Sequence, residues 1–181
     1  VTPSRIAKPW QPGRPSKGKY IIPKKAEWRY LAGNFAPKDW TRPGFDDSTW
    51  KNGKAGFGYG DADDTTELDM QNKYTSVYLR KTFKLQQPTD VNHLWLGISY
   101  DDAFILYLNG KEVIRNGVTK GQSENATGIA QHEANNSFEM FDLTPYAKLL
   151  KTGTNTIAIE GHNHAPTSSD FTLHPTILRA Q

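Results

Sequence analysis

The sequence contains no cysteine, which excludes a disulfide framework, a thiolate metal centre and any cysteine nucleophile. It has no apolar run approaching the ~18 residues of a membrane-spanning helix, and its mean hydropathy is −0.70. Helical patterning is nearly missing as well, because apolar residues nowhere recur at i, i+3, i+4 and i+7 through three turns. What the chain has instead is aromatic side chains, 12% of its residues, a content that disordered segments do not carry. Its 181 residues suit one domain, with enough interior to be stable without a covalent or metal staple.

The net charge of +3 is unevenly placed. Residues 1–25 hold seven basic side chains and no acid, and the remainder carries fifteen basic against nineteen acidic residues. The pI of 9.0 is therefore a property of the N-terminal arm. Prolines at positions 3, 9, 12, 15 and 23 make that arm read as an extended segment. Residues 1–26 accordingly read as a basic, Pro-rich arm or linker, and 27–181 as a single domain. Nucleic-acid binding would require a basic face on the folded body too, so neither nucleic acid nor membrane is expected as a partner, and the domain is expected to be a monomer. The chain starts at Val1 rather than methionine, which fits removal of a signal peptide or a preceding domain but does not by itself indicate a compartment.

Strand signals fill most of the remaining length. In the segment 76–85 the apolar residues Val77, Leu79, Phe83 and Leu85 alternate with Tyr78, Arg80, Thr82 and Lys84, the period of a half-buried strand. Leu94 to Tyr100 and Phe104 to Leu108 alternate similarly, with Asp101-Asp102 expected as the turn between them. Asn109-Gly110 offers the two positive-φ residues of a type I′ turn, so Ala103 to Leu108 should pair with Lys111 to Arg115. Further strands are expected at Trp28 to Leu31, Phe138 to Leu143, Thr156 to Glu160 and Phe171 to Leu178. Thr144 to Leu150 alone reads as helical, Thr144 capping and Pro145 at the first position, while Pro37 to Trp40 suits a single turn. Short strands joined by Gly- and Asn-rich turns predict an all-β protein, an antiparallel β-sandwich with jelly-roll topology.

Six segments in order also carry a family likeness: Phe45-Asp46-Asp47-Ser48-Thr49-Trp50, Gly56-Phe57-Gly58-Tyr59-Gly60-Asp61, Tyr78-Leu79-Arg80-Lys81-Thr82-Phe83, Tyr107-Leu108-Asn109-Gly110-Lys111-Glu112-Val113, Gly153 to Glu160, and Ser168-Ser169-Asp170-Phe171. From about Glu27 to Arg179 the chain resembles the galactose-binding-like jelly roll, especially the sugar-binding domain of family 2 glycoside hydrolases and the related domain of modular secreted bacterial proteins. The resemblance implies a β-sandwich that is not itself catalytic. It implies a module that binds a polysaccharide or glycan beside neighbouring domains of a larger protein. The alternative is a domain that packs against a catalytic neighbour and binds no sugar.

Candidate chemistry is confined to loops. Asp61, Asp63 and Asp64 lie in one acidic stretch after Gly60 that reads either as a solvated loop or as a source of the hard oxygen ligands that Ca²⁺ prefers; the resembling fold often carries such a structural ion. His162 and His164 flank Asn163 just beyond a strand, where two imidazoles can share a face for Zn²⁺ or hydrogen-bond the loop backbone. Trp10, Trp40 and Tyr59 read as loop aromatics with flat faces for sugar rings. If the loop Tyr59–Asp61 and the segment His162–Asp170 converge at one end of the sandwich, Tyr59, Asp61, His162, Asn163 and His164 should form a shallow polar carbohydrate site, with Arg115 and Asn116 as neighbours. Catalysis is not expected, because no nucleophile elbow, phosphate loop or H-E-x-x-H occurs, and the adjacent acids Asp46/Asp47 and Asp101/Asp102 sit at turns.

Overall fold

The structure, a computed structural model, describes residues 18–33, 35–61, 64–135 and 137–180. Two sheets face each other. The first runs in the order β12 (Glu139–Asp142), β7 (His93–Asp101), β14 (Phe171–Ala180), β4 (Phe57–Tyr59) and β5 (Thr66–Glu67), with β1 (Lys19–Ile22) also paired to β14. The second runs β3 (Lys51–Lys54), β2 (Glu27–Ala32), β6 (Ser76–Leu85), β13 (Gly153–His162), β8 (Ala103–Leu108) and β9 (Lys111–Asn116). Every pairing in these sheets is antiparallel except β4 with β5. This is the all-β sandwich of jelly-roll type that the strand pattern predicts.

Period-two alternation sends Val77, Leu79, Phe104, Leu106, Ile157 and Ile159 from the second sheet into the interior, where they meet Leu96, Ile98, Phe171, Leu173 and Ile177 from the first. The β8–β9 hairpin closes as expected, with Leu108 opposite Lys111 and Asn109 and Gly110 at φ 50° and 81°. Asp101-Asp102 is not a hairpin turn, however. It is the crossing between sheets, since β7 ends in the first and β8 begins in the second. Thr144–Leu149 forms a 3₁₀ helix, and the Thr144 hydroxyl accepts from Leu94 N at 3.2 Å instead of capping its own helix. Inside the stretch read as an arm, Lys19–Ile22 forms β1, and Ile22 is fully buried in the core.

The largest departure from the sequence expectation is on the outer face of the second sheet. Tyr78 and Arg80 alternate away from the interior, yet both are buried. Trp40, Trp50 and Val118 form a second apolar layer over them and over Ile105, Tyr107 and Ala158 of the same outer face, joined by the partly buried Phe45, Ala126 and Ile129. The cover comes from segment 35–50 on one side and from the ribbon β10 (Val118–Lys120) with β11 (Thr127–Ile129) on the other. Trp40 stacks on Trp50 with centroids 6.0 Å apart and meets Tyr78 and Tyr107 edge-on.

Two charged residues on adjacent strands fasten this cover. Arg80, 2% exposed, donates from Nε to Asp47 Oδ2 at 2.8 Å, and from its terminal nitrogens to the carbonyls of Trp40, Arg42 and Phe45. Glu160, wholly buried, accepts from the Tyr107 hydroxyl at 2.8 Å, from Ser123 N at 2.7 Å and from the Ser123 hydroxyl at 3.1 Å. A buried charge held by several partners is costly to leave half-paired. Arg80→Met is therefore expected to lower unfolding free energy by about 3–5 kcal/mol in denaturant titration, with new proteolytic cleavage within residues 35–50. A smaller loss, with that segment still protected, would show that the apolar layer alone holds it.

Candidate functional site

One candidate lies at the end of the sandwich where β4 and β7 end beside the start of β14. Thr172 pairs with Asp101 and Phe171 with Tyr59, so strand register brings Tyr59, Asp101 and Asp170 together from distant parts of the sequence. The segment after β13 joins them. Asn163, buried, donates from Nδ2 to the Tyr59 hydroxyl at 3.1 Å and to Asp170 O at 2.9 Å, and the Tyr59 hydroxyl donates to Ser168 O at 2.9 Å.

Tyr59 and Asn163 thus meet at this end, but Tyr59 closes β4 with its ring in the core, 8% exposed, and presents no open face. Asp61 is exposed beside it. His162 is buried, with Nδ1 3.0 Å from the Ser76 hydroxyl, whereas His164 Nδ1 donates to Asp102 Oδ2 at 2.7 Å. The two imidazoles therefore have separate partners. Arg115 makes a two-pronged contact with Glu112, both at 2.9 Å, and Asn116 donates to the Tyr100 hydroxyl at 2.8 Å. In the acidic stretch, Asp64 packs against bare backbone at Gly58, where a Cβ would fall 2.1 Å from Asp64 Oδ2. Asp63 and Trp10 lie outside the described residues.

The same end holds an acidic group that sequence spacing does not reveal. Asp101, Glu133 and Asp170 each offer a carboxylate oxygen, all within 4.8 Å of one another, a set that could hold a metal ion. His132 positions Glu133. Its ring stacks on Tyr100 with centroids 4.1 Å apart, its Nδ1 donates to Tyr100 O at 3.0 Å and its backbone N donates to Asp102 Oδ1 at 2.9 Å. Burial, then the charges of Asp102, Asp170 and Glu133, push the Asp101 carboxyl up to about 8.

The second candidate is a cleft of about 490 Å³ in the cover of the second sheet. Trp40 and Tyr107 contribute to its floor, and Asp39, Arg42, Glu112, Gln122, Glu124 and Asn125 line it. Arg80 fixes one wall through Trp40 and Arg42, and Glu160 fixes the other through Ser123. Trp40 is buried and shows the cleft only part of its ring. The residue that does present a free aromatic face is Phe35, 73% exposed and next in the chain to the lining residue Ala36. An aromatic flanked by Gly33 and Pro37 with no alternating partner was the signal available for it.

No family model and no curated protein sequence matches the chain. Solved structures do, and the chain spans about a fifth to a third of their length. A Bacteroides uniformis β-glucuronidase is 19% identical, with 88% of this chain and 18% of that one covered, at a TM-score of 0.55. A family 2 glycosyl hydrolase from Bacteroides cellulosilyticus is 14% identical over 84% and 19%, at 0.53. An uncultured Clostridium β-glucuronidase is 12% identical over 95% and 31%, also at 0.53. At these identities the likeness establishes the fold: the chain has the β-sandwich found as one part of glycoside hydrolase family 2 chains.

Two outcomes test the geometry at the strand ends. Tyr59→Phe is expected to cost about 1–2 kcal/mol in denaturant titration, because Asn163 Nδ2 and Ser168 O lose a buried partner; an unchanged midpoint would place that hydroxyl in solvent. Asp101 keeps its proton in the fold to about pH 8, while the unfolded chain releases it near the ordinary value of about 4. The folded state binds more protons across that window, so in EDTA stability should fall as pH rises from about 4 to about 8. Asp101→Asn should flatten the slope in thermal unfolding, and an equal slope in both proteins would remove Asp101 as its source.

Proposed function

We propose that this chain is a non-catalytic carbohydrate-binding domain of a larger, secreted or extracellular protein of the glycoside hydrolase type, holding a polysaccharide or glycan in the cleft over the second sheet. The observation that carries this reading is the cleft's polar lining, with the exposed Phe35 one residue before the lining residue Ala36. Carboxylates, amides and a guanidinium can pair with sugar hydroxyls in both donor and acceptor senses, while an exposed aromatic ring supplies contact area for the apolar face of a pyranose. The walls are pinned by buried charges, so little ordering remains to be done on binding. Similarity of fold to a part of glycoside hydrolase family 2 chains supports the placement beside an enzyme domain.

A second reading, packing against a catalytic neighbour, is favoured by one feature. The outer face of the first sheet has a groove of about 310 Å³ in which the apolar side chains of Tyr20, Phe138, Met140 and Leu178 are joined by Lys24, Ser137 and Thr176, with Tyr20 substantially exposed. Affinity electrophoresis over a panel of plant and algal polysaccharides separates the two. Retention is expected, weakened roughly tenfold (~1–2 kcal/mol) by Phe35→Ala at unchanged melting temperature. No retention on any polysaccharide, or retention indifferent to both Phe35→Ala and Arg42→Ala, would leave the packing reading.

A further inference from the structure

We infer that Asp101, Glu133 and Asp170 form a calcium site that clamps the loops at the end of the sandwich, independently of any glycan. The first ground is the contrast between two adjacent aspartates. Asp102 accepts three hydrogen bonds, from His132 N at 2.9 Å, His164 N at 2.8 Å and His164 Nδ1 at 2.7 Å. Asp101 is 3% exposed, and its Oδ1 is buried with no hydrogen-bond partner. A carboxylate taken out of water needs compensation, and the fold supplies it to one neighbour in full while leaving Oδ1 of the other bare.

The second ground is what surrounds the Asp101 carboxylate. Glu133 and Asp170 bring carboxylate oxygens within 4.8 Å of the Asp101 ligand atom and of each other, and among the described residues no ion pair engages any of the three. Three acids converging without a cation repel one another. A bound cation removes the repulsion and supplies the missing partner together.

The donor chemistry selects the ion. All three ligands are hard carboxylate oxygens, with no imidazole or thiolate among them, which favours Ca²⁺ or Mg²⁺ over zinc. They come from three separate segments. Glu133 is exposed and Asp170 half-buried, so water can complete the shell on the open side. Ca²⁺ accepts such an irregular set at about 2.3–2.6 Å, whereas Mg²⁺ demands a near-ideal octahedron. The ion would tie the segment after Ala130 and the segment before β14 to the end of β7, and so stabilise the folded protein by mass action.

The test uses the full chain stripped with EDTA and returned to chelator-free buffer, followed by calorimetric titration with CaCl₂ and by thermal unfolding. One site per chain is expected, with a dissociation constant on the order of 10⁻⁴ M or tighter, and a melting temperature that rises with calcium. Glu133→Gln lies at an exposed position and should fold normally, so it should weaken calcium binding at least tenfold, as should Asp101→Asn and Asp170→Asn. Asp61→Asn should leave binding unchanged. Absence of both heat and thermal shift in the wild-type chain would overturn the inference. So would binding that survives the Glu133 and Asp101 substitutions together, binding lost in Asp61→Asn instead, or Mg²⁺ binding as tightly as Ca²⁺.

Discussion

A guanidinium on the outer face of a sheet has five N–H groups to satisfy and, once covered, no water to satisfy them. Arg80 meets this demand with the Asp47 carboxylate and three carbonyls from residues 40–45, all in a segment with no regular structure of its own. The segment is thereby fixed at several points to the middle of a rigid strand. Only in that position do Trp40, Trp50 and Phe45 lie over Tyr78 and Ala158, burying the middle of the sheet on both faces. Glu160 does the same with opposite sign for the segment around Ser123. It sits opposite Tyr78, the neighbour but one of Arg80 on the facing strand. The cleft exists because these two anchors hold its walls apart as well as down, and burial beside Glu160 keeps the Tyr107 hydroxyl on its floor protonated by pushing its pKa up.

Much of the scaffold was legible because its signals are local. Alternation over residues 76–85 coincides with β6, and Asn109-Gly110 marks the hairpin. The outer layer was not legible for a physical reason: alternation says which residues leave the interior, not whether something else lies beyond. Tyr78 and Arg80 satisfy the pattern of a solvent face, and the irregular segments that cover them have no period to read. β1 was hidden among the lysines and prolines of the arm, where a four-residue strand has too little length to show alternation. At the loop end, the hydrogen bond between Tyr59 and Asn163 depends on the register of β4 against β14. The trio of Asp101, Glu133 and Asp170 depends on pairing between β7 and β14 and on the His132 stack on Tyr100, neither of which has a sequence spacing.

The two candidate sites differ in how the fold serves them. At the strand ends, ladder register delivers side chains directly, so Tyr59, Asp101 and Asp170 are placed by backbone hydrogen bonds. In the cleft, polar lining residues sit on irregular segments that are positioned second-hand by buried charges. Shared architecture with glycoside hydrolase family 2 chains speaks to the ladders, which many sequences can build; the lining belongs to this sequence, and function resides there.

The pairing of β1 with β14 also bears on how the domain would carry load. Lys19 lies opposite Arg179 and Ile22 opposite Ile177, so the beginning of one strand and the end of the other emerge side by side at the same edge. A pull applied between these two points meets the ladder bonds one after another, as in opening a zipper, and never several at once in shear. The β1–β14 ladder is therefore a weak mechanical seam in an otherwise tightly packed sandwich. Because Ile22 is seated in the core, peeling the seam would expose the interior from that side first.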